Sequence, residues 1–598
     1  MKTLPIEDYG LIGDLQTAAL VSRFGSIDWL CFPRFDSGAC FAALLGDERN
    51  GHWVIHPAGD FRASGRRYRP DTLILETELE TNDGAIRVID FMPPRDVTPD
   101  VVRIVEGVRG HVDVEMDLTI RFDYGSIVPW VRRVDDARVA IAGPDGIVLR
   151  TPVDLVGRNL HTMAEFRVGK GDRVPFTLTW FPSHAEIPQA LDPEDLLRET
   201  EEYWVEWAGQ CTHKGEWHDE VHRSLLTLKA LTYGPTGGIV AAPTTSLPEQ
   251  PGGVRNWDYR YCWLRDATLT LLTFLRAGYE DEARAWRDWF LRAIAGSPQA
   301  LQIMYGVGGE RRLLEVELNW LKGYGGARPV RIGNGASGQL QLDVYGEVMD
   351  ALHQGRVQGL PYSPESWRLQ RKLLDWLESG WKEPDDGIWE VRGPRRHFTH
   401  SKVMAWVAFD RAVRAAEQFD RSGPVDRWRQ IREEIRTEVL REGYNPDVGA
   451  FVQTYGSDRL DASLLMIPLV DFLPATDERM VGTVAAFERE LMRDGLIERY
   501  RADEKNTDVD GLPPGEGVFL PCSFWLASVL ALQGRHDDAR ALYTRLLSLQ
   551  NDLGLLPEEY HPERGCFGGN FPQALTHLSL IATGLLLAKG TRLRQLWP

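Results

Sequence analysis

The stretch VDVEMDLTIRF, residues 112–122, decides the first half of the fold. Apolar side chains occupy every second position from Val112 to Phe122, and polar or charged residues stand between them. Successive side chains of a β-strand point to opposite faces, so this period of two gives one apolar face and one polar face. The stretch therefore predicts a long strand that covers a hydrophobic core on one side.

The same alternation extends outward over residues 1–182. The stretch VPFTLTW, residues 174–180, repeats it, and other alternating runs are separated by the turn signals Asn82-Asp83-Gly84 and Pro144-Asp145-Gly146. Alternating strands joined by short turns favour antiparallel sheets packed face to face. We predict an N-terminal antiparallel β-sandwich over residues 1–190.

The periodicity changes at Asp192. Asp192 followed by Pro193 is a helix start, with aspartate as the N-cap and proline in the first turn, and it predicts a linker helix within residues 191–215. From residue 216 onward, apolar residues recur at helical spacing, as in EVHRSLLTLKALTY, residues 220–233. We predict about twelve helices, which begin near residues 217, 263, 280, 339, 365, 400, 424, 461, 477, 520, 536 and 572.

Long connections rich in Gly, Pro and Trp follow every second predicted helix. Long loops inside a compact domain usually carry function. A ring of paired helices places short turns at one rim and long loops at the other, around a central pocket. We therefore predict an (α/α)6 barrel over residues 216–598, with an open helical solenoid as the alternative. The long loops are residues 240–262, 304–338, 382–399, 494–519 and 552–571.

The composition narrows the class of ligand. A net charge of −19 and a pI near 5.3 argue against nucleic acid or an anionic membrane as the main partner. The N-terminus MKTLPIEDYG lacks the apolar core of a signal peptide, and no apolar run reaches membrane-spanning length, so we expect a cytoplasmic protein. The 20 tryptophans offer flat apolar surfaces that suit sugar rings. We expect a small carbohydrate partner, no nucleic acid and no membrane, and a homo-oligomer is compatible with the sequence.

The long loops carry acidic, basic and aromatic residues but no metal or nucleotide motif. The sequence contains no GxxxxGK[ST] loop, no GxSxG elbow and no HExxH helix. Residues 506–517 begin like a calcium-binding EF-hand loop, but Gly517 stands where that loop needs glutamate. We expect neither a metal nor a cofactor. A pair of carboxylates that works without a metal is the glycosidase arrangement, in which one group protonates the leaving oxygen and the other stays ionised.

One candidate acid lies in DDGIWEVRGPRRHFTHSK, residues 385–402. Trp389 and Glu390 precede a cluster of cations there. On residue types alone, a loop that enters a helix with solvated charges is the favoured explanation of the stretch, and a functional role requires a second carboxylate elsewhere and a pocket that holds both. Nearby cations lower the pKa of a carboxyl group, so the arginines should not all face Glu390 if it is to donate a proton.

Five stretches together resemble glycoside hydrolase family 15, the glucoamylase and trehalase family, and specifically its prokaryotic two-domain members. The likeness covers essentially the whole chain and implies a β-sandwich, a helical linker and an (α/α)6 barrel. The stretches are IEDYGLIGDLQTAALVSRFGSIDWLCFPRFDSGACF (6–41), NWDYRYCWLRDA (256–267), RPVRIGNGASGQLQLDVYGEV (328–348), GIWEVRGPRRHFTHSKVMAW (387–406) and NDLGLLPEEYHPERGCFGGNFPQALTHLSLI (551–581).

This resemblance assigns expected roles. Glu390 matches the family's general acid and Glu558 its general base, with Glu559 as the alternative base. Trp263, Arg265 and Asp266 match the motif that holds the hydroxyls of the non-reducing glucose. The remaining candidate substrate-binding residues are Tyr259, Trp389, Arg331, Asn334, Gln339, Arg392 and Glu516; a core position for Trp389 and a loop or cap position for Glu516 are the alternatives.

The chain departs from its starch-degrading relatives at Val391. Glucoamylases usually carry a second acidic residue directly after the general acid, so the contacts to the second sugar should differ here. We expect an inverting, exo-acting α-glucoside hydrolase that releases β-glucose, with α,α-trehalose as substrate. The alternatives are glucoamylase-like hydrolysis of malto- or isomalto-oligosaccharides and a catalytically silent sugar-binding protein with the same fold.

Overall fold

The computed structural model describes residues 4–501 and 510–589. Its N-terminal part is built from antiparallel strands that form a continuous sheet system. The strands are β1 (Tyr9–Gly13), β2 (Ala18–Ser22), β3 (Ser26–Cys31), β4 (Ala39–Phe41), β5 (His52–Pro57), β6 (Arg62–Tyr68), β7 (Leu75–Glu80), β8 (Gly84–Phe91), β9 (Asp100–Thr119), β10 (Trp130–Val134), β11 (Ala137–Ala142), β12 (Asp145–Arg150), β13 (Val156–Arg158), β14 (His161–Gly169) and β15 (Arg173–Pro182).

The strand β9 organises this domain because it belongs to two sheets. Its residues 100–110 pair with β8 and β15, and its residues 111–119 pair with β5 and β14. Gly107, in the first half of β9, permits the backbone of Gly169 to approach closely. A Cβ at position 107 would lie 1.9 Å from the carbonyl oxygen of Gly169. One long strand thus connects the two layers of the predicted sandwich.

Residues 112–119 of the quoted stretch form the second half of β9 and alternate as predicted up to Leu118, whereas Thr119 and Arg121, expected on the polar face, are buried. Val112, Val114 and Met116 are buried, whereas Asp113 and Glu115 are exposed. The predicted turns also lie where two strands meet, between β7 and β8 and between β11 and β12. The antiparallel β-domain is confirmed.

A single helix, α1 (Pro193–Ala208), follows β15. Asp192 caps it, because its side chain accepts a hydrogen bond from the backbone N–H of Glu194 at 2.9 Å. Near its C-terminus the indole N–H of Trp207 donates to Glu282 at 2.6 Å. This contact fixes the helix against the helical domain; the exact domain boundaries 1–190, 191–215 and 216–598 stay predictions.

The helical domain is a closed ring. The six inner helices α3, α5, α7, α9, α11 and α13 each pack against the next, and α13 packs back against α3, so the open-solenoid alternative is wrong. The twelve predicted starts lie within five residues of observed ones. The helices are α2 (His218–Ala230), α3 (Leu264–Ala277), α4 (Glu280–Ala293), α5 (Asp343–Val357), α6 (Pro364–Gly380), α7 (Thr399–Phe419), α8 (Val425–Glu442), α9 (Met466–Leu469), α10 (Glu478–Glu490), α11 (Leu520–Leu532), α12 (His536–Leu547) and α13 (Ala574–Lys589).

Inner and outer helices differ in sequence pattern for a physical reason. The outer helix α8 buries only Trp428, Ile431, Ile435 and Val439, which follow one another at helical spacing on one face. The inner helix α11 has neighbours on all sides, and all of its residues except the last are buried. The amphipathic pattern is therefore typical of the outer helix α8, and burial on all sides is typical of inner helices, although α5 and α7 also bury charged residues such as Glu347 and Lys402.

Arg260 joins the two domains. It is buried and forms a bidentate ion pair with Asp258, with N–O distances of 2.9 and 2.6 Å. Its other terminal nitrogen donates to the carbonyl oxygen of Ser37 in the β-domain at 2.9 Å. The guanidinium also lies 5.3 Å from the ring centre of Tyr124. One cation thus satisfies acceptors from both halves of the chain.

We expect Arg260→Ala to lower the free energy of unfolding by about 3–5 kcal/mol, because it leaves the buried carboxylate of Asp258 without its counter-charge. Urea denaturation of the full chain measures the change. Arg62→Ala is the control: Arg62 is exposed and pairs with Glu80 at 2.7 Å, so its loss should cost less than about 1 kcal/mol. Equal small changes for both variants would contradict a structural role for Arg260.

Candidate active site

The long loops meet at one rim of the ring and enclose a pocket. Eight of the predicted site residues line it, from the loops around residues 259, 334 and 390 and from the start of α3. The eight are Tyr259, Trp263, Arg265, Asp266, Asn334, Trp389, Glu390 and Arg392.

Glu390 has an unusual backbone that its neighbours hold in place. Its φ angle is +58°, a left-handed conformation that is uncommon for a residue other than glycine. Gln339 stabilises this turn, because its side-chain amide donates to the carbonyl oxygens of Glu390 at 3.2 Å and Val391 at 3.0 Å. Strained backbone of this kind costs on the order of 1–3 kcal/mol and clusters at functional sites.

The Glu390 carboxyl group faces the pocket. Its Oε1 accepts a hydrogen bond from the indole N–H of Trp263 at 2.6 Å. Its Oε2 has no hydrogen-bond partner within residues 4–501 and 510–589, so that oxygen can carry a proton toward the pocket. Burial raises the pKa of Glu390, and the charge of Arg265 and the Trp263 hydrogen bond oppose this rise.

Glu558 lies on the loop that precedes α13 and is fully buried; it does not line the pocket itself but lies behind Tyr259, which does. Tyr259 donates its hydroxyl to Glu558 Oε1 at 2.6 Å, and the backbone N–H of Asn570 donates to Oε2 at 3.0 Å. Burial and the neighbouring charge of Glu249 raise the pKa of Glu558 to about 8, while these two hydrogen bonds favour its ionised form.

A single short segment holds both carboxyl groups. Tyr259 contacts Glu558, Trp263 contacts Glu390, and the two aromatic rings lie edge to face with centres 5.2 Å apart. The aromatic pair fixes the two hydrogen-bond donors relative to each other. The positions of Glu390 and Glu558 are therefore coupled through residues only four apart in sequence.

Glu559 faces a different environment from Glu558. Its Oε2 accepts from the backbone N–H of Gly517 at 2.8 Å, and its Oε1 contacts Arg499 at 3.1 Å. Glu516 contacts the same guanidinium at 2.6 Å, and Glu249 contacts it at 3.1 Å. Glu559 and Glu516 thus belong to an ion-pair network beside the pocket, and neither lines it.

The carboxylates of Glu249, Glu516 and Glu559 lie close enough to ligate a cation, with one oxygen of each within 4.8 Å of the others. One terminal nitrogen of Arg499 contacts all three. Its guanidinium therefore occupies the position between these carboxylates and supplies one positive charge to the cluster. The predicted exclusion of calcium from residues 506–517 concerns a segment that lies partly outside the described residues.

The network holds more carboxyl groups than guanidinium groups. Asp510 adds a fourth carboxylate, which contacts Arg255 at 2.6 Å, and Arg255 also contacts Glu516 at 3.0 Å. Two arginines cannot balance four buried carboxylates. This excess of negative charge, together with burial, raises the pKa of both Glu249 and Glu559.

Arg265 and Asp266 form a polar pair in the pocket wall. They contact each other at 3.0 Å, and their side chains are 15% and 3% exposed. Arg265 also donates to the carbonyl oxygen of Ile388 at 3.1 Å, which joins it to the Glu390 loop. Trp389 forms the opposite wall and donates its indole N–H to Asp461 at 2.9 Å.

Several of the residues that line the pocket were not identified from the sequence. They lie in or next to loops that length alone had marked as functional, so loop length was the available signal. Arg331 and Gln339, in contrast, hold surrounding loops without lining the pocket. The missed lining residues include Glu249, Arg255, Trp257, Arg499, Tyr500, Asp510, Phe519 and Gln573.

Comparison with known proteins identifies the family. The family described as "Glycosyl hydrolases family 15" matches residues 215–585, and "Trehalase-like, N-terminal" matches residues 1–169. The chain belongs to glycosyl hydrolase family 15. It is 42% identical to a trehalase of Mycolicibacterium smegmatis, over 96% of this chain and 90% of the relative. It is also 37% identical to a trehalase of Thermoplasma acidophilum, over 94% and 97% of the two chains.

A solved structure supports the fold of this family 15 glycoside hydrolase. A bacterial glucoamylase complexed with acarbose superposes with a TM-score of 0.72 and covers 98% of this chain and 94% of its own, at 12% identity. The similarity extends over both domains, so the whole architecture is shared. Within the described ranges, none of the helices has the length and apolarity needed to cross a membrane.

The raised pKa of Glu558 predicts a pH-dependent stability. Between about pH 5 and 8 the folded protein keeps a proton on Glu558 that the unfolded chain releases, so the free energy of unfolding falls as pH rises. Glu558→Gln is neutral at every pH and should remove up to about 1.4 kcal/mol per pH unit of that slope. Urea denaturation of wild type and variant at pH 5, 6, 7 and 8 measures it. If the free energy of unfolding changed equally with pH in both proteins, a raised pKa of Glu558 would be contradicted.

Proposed function

We propose that the protein hydrolyses α,α-trehalose with inversion, with Glu390 as general acid and Glu558 as general base. The observation that carries this proposal is the pair of carboxyl groups tied to one aromatic segment beside the pocket. Trp263 holds Glu390 and Tyr259 holds Glu558, at 2.6 Å in both cases. Two fixed carboxyl groups near one pocket are what hydrolysis without a metal requires.

The surroundings of each carboxyl group bear on its proposed role. Burial raises the pKa of Glu390, which favours the protonated form, and Oε2 can then give that proton to the glycosidic oxygen. Once ionised, Glu558 takes a proton from a water molecule that attacks the anomeric carbon from the other side. Tyr259 retains its own proton, since burial raises its pKa well above the usual value, and it orients the base through the hydrogen bond.

The glucose unit that is cleaved off should occupy the deep end of the pocket. Arg265 and Asp266 present a guanidinium and a carboxylate there, which can bind neighbouring hydroxyls, and the indole of Trp389 offers an apolar wall. The choice of trehalose is supported by the relatives that bear this name at 42% and 37% identity. The bacterial glucoamylase shares the fold at 12% identity, which gives no support to a starch-like substrate.

A substrate that needs no acid distinguishes the proposed role of Glu390 from that of Glu558. Fluoride leaves α-glucosyl fluoride without protonation, so Glu390→Gln should lose at least about a thousandfold in kcat on trehalose and less than about tenfold on the fluoride. Glu558→Gln should lose about a hundredfold or more on both, because no group activates the water. Steady-state kinetics on the two substrates measures this difference.

The neighbouring residue provides the control for the base. Glu559→Gln should keep kcat within about tenfold of wild type on both substrates, because Glu559 contacts Gly517 and Arg499, whereas Glu558 contacts the pocket residue Tyr259. Circular dichroism establishes that each variant is folded. An inactive Glu559→Gln beside an active Glu558→Gln would move the base by one residue.

Substrate preference and stereochemistry test the reaction itself. Trehalose should exceed maltose, isomaltose and maltotetraose in kcat/KM by at least about tenfold, because polar groups placed for one disaccharide are left unpaired by another. Proton NMR should show β-glucose as the first product of α-glucosyl fluoride, and one α- and one β-glucose per trehalose. A kcat/KM that rises with maltose chain length would indicate a glucoamylase, and α-glucose alone would indicate retention.

A further inference from the structure

Four side chains form a cluster at the mouth of the pocket: Trp257, Glu315, Arg331 and Arg392. The guanidinium carbons of Arg331 and Arg392 each lie 4.7 Å from the ring centre of Trp257. Glu315 faces both arginines, with Oε2 at 3.2 Å from Arg392 and Oε1 at 3.7 Å from Arg331. The cluster therefore joins three separate loops around one indole ring and one carboxylate.

Two members of the cluster are more exposed than the pair proposed to hold the first glucose. The side chains of Arg392 and Glu315 are 34% and 25% exposed, compared with 15% and 3% for Arg265 and Asp266. Trp257 and Arg392 line the same pocket as Glu390. A sugar whose first ring reaches Arg265 and Asp266 must place its second ring, beyond the scissile bond, toward this mouth.

Arg392 is the member that can contact a ligand. A guanidinium has five N–H donors, and Glu315 is the acceptor of the Arg392 side chain in the described part of the protein. Donors therefore remain for sugar hydroxyls. Arg331 already donates to the carbonyl oxygens of Val254 at 3.0 Å and Asn256 at 3.2 Å, and it does not line the pocket.

Two contacts fix the position of Arg392, one to its backbone and one to its side chain. Its backbone N–H donates to the carbonyl oxygen of Asp510 at 2.9 Å, which fixes its main chain. Glu315 holds its side chain and is itself held by the backbone N–H of Gly335 at 2.9 Å. Glu315 is absent from the pocket wall, so it can influence a substrate only through the side chains that it holds.

We propose that Arg392 binds hydroxyls of the second ring of a disaccharide and that Glu315 is the positioning residue that holds Arg392 for this contact. The proposal rests on the proposed hydrolysis and names its second sugar subsite. Val391, where glucoamylases usually carry an acidic residue, is 3% exposed and lies outside the pocket wall. The group proposed to bind the second ring is thus the cation of Arg392, one position after Val391.

Two substrates that differ by the second ring test this proposal. Trehalose has a second ring and α-glucosyl fluoride has none. Arg392→Met should lower kcat/KM for trehalose by about 10- to 100-fold, the loss expected for hydrogen bonds to a charged group. The loss on α-glucosyl fluoride should stay below about threefold. The charge of Arg392 also lowers the pKa of Glu390, and the fluoride needs no acid, so a loss that acted through Glu390 would be confined to trehalose as well. The pH profile of kcat/KM on trehalose is therefore the second readout, and it should stay unchanged in the variant. Equal losses on both substrates, no loss on trehalose, or a shifted pH profile would overturn the assignment.

A double mutant tests the positioning role. Glu315→Gln should lower kcat/KM for trehalose by about three- to tenfold, and adding it to Arg392→Met should cause no further loss. Glu317→Gln is the matched control, since Glu317 lies two residues away, is 53% exposed and faces Arg331 at 3.7 Å. Losses that multiply in the double mutant would show that Glu315 acts independently of Arg392 and would overturn its positioning role.

The experiments distinguish a failure of the Arg392 proposal from a failure of the proposed trehalose hydrolysis. If the wild-type protein hydrolyses α-glucosyl fluoride and maltose but not trehalose, the proposed substrate is wrong, and the comparison of maltose with the fluoride tests Arg392 in the same way. A selective loss on maltose would then support the second-ring contact.

Discussion

The buried ion pair of Asp258 and Arg260 is the contact on which both domains and the pocket depend. Arg260 reaches the carbonyl oxygen of Ser37 in the β-domain, and Asp258 also accepts the backbone N–H of Gly333 at 3.0 Å. The neighbouring side chain Tyr259 contacts Glu558 from the same short segment. The β-domain therefore contributes to the site without lining it, because it holds the segment that holds the carboxyl groups.

Burial of charge gives the site its chemistry. The chain carries a net charge of −19, yet the pocket is lined by arginines as well as acids. Arg499 draws Glu249, Glu516 and Glu559 together beside Glu558. Burial, and after it the charge of Glu249 in this network, raises the pKa of Glu558, although Arg499 opposes the rise. A base with such a pKa is a stronger proton acceptor once it is ionised.

Much of the fold was predictable because each layer has its own periodicity. A period of two over residues 112–122 identified the strand that belongs to both sheets, and helical spacing identified the outer helices. Amphipathic spacing does not identify α11, since the helix is apolar on all faces. The closure of the ring depends on contact between α3 and α13, which no local pattern encodes.

The sequence by itself determined which residues are candidates for the site, and the tertiary structure decided what each of them contacts. Glu558 and Glu559 are adjacent and chemically identical, so no pattern distinguishes them; their different partners, Tyr259 and Arg499, do. Tyr259 and Glu558 are 299 residues apart along the chain. Local sequence specifies side-chain chemistry and backbone preference, whereas hydrogen-bond partners and desolvation arise only when distant segments pack together.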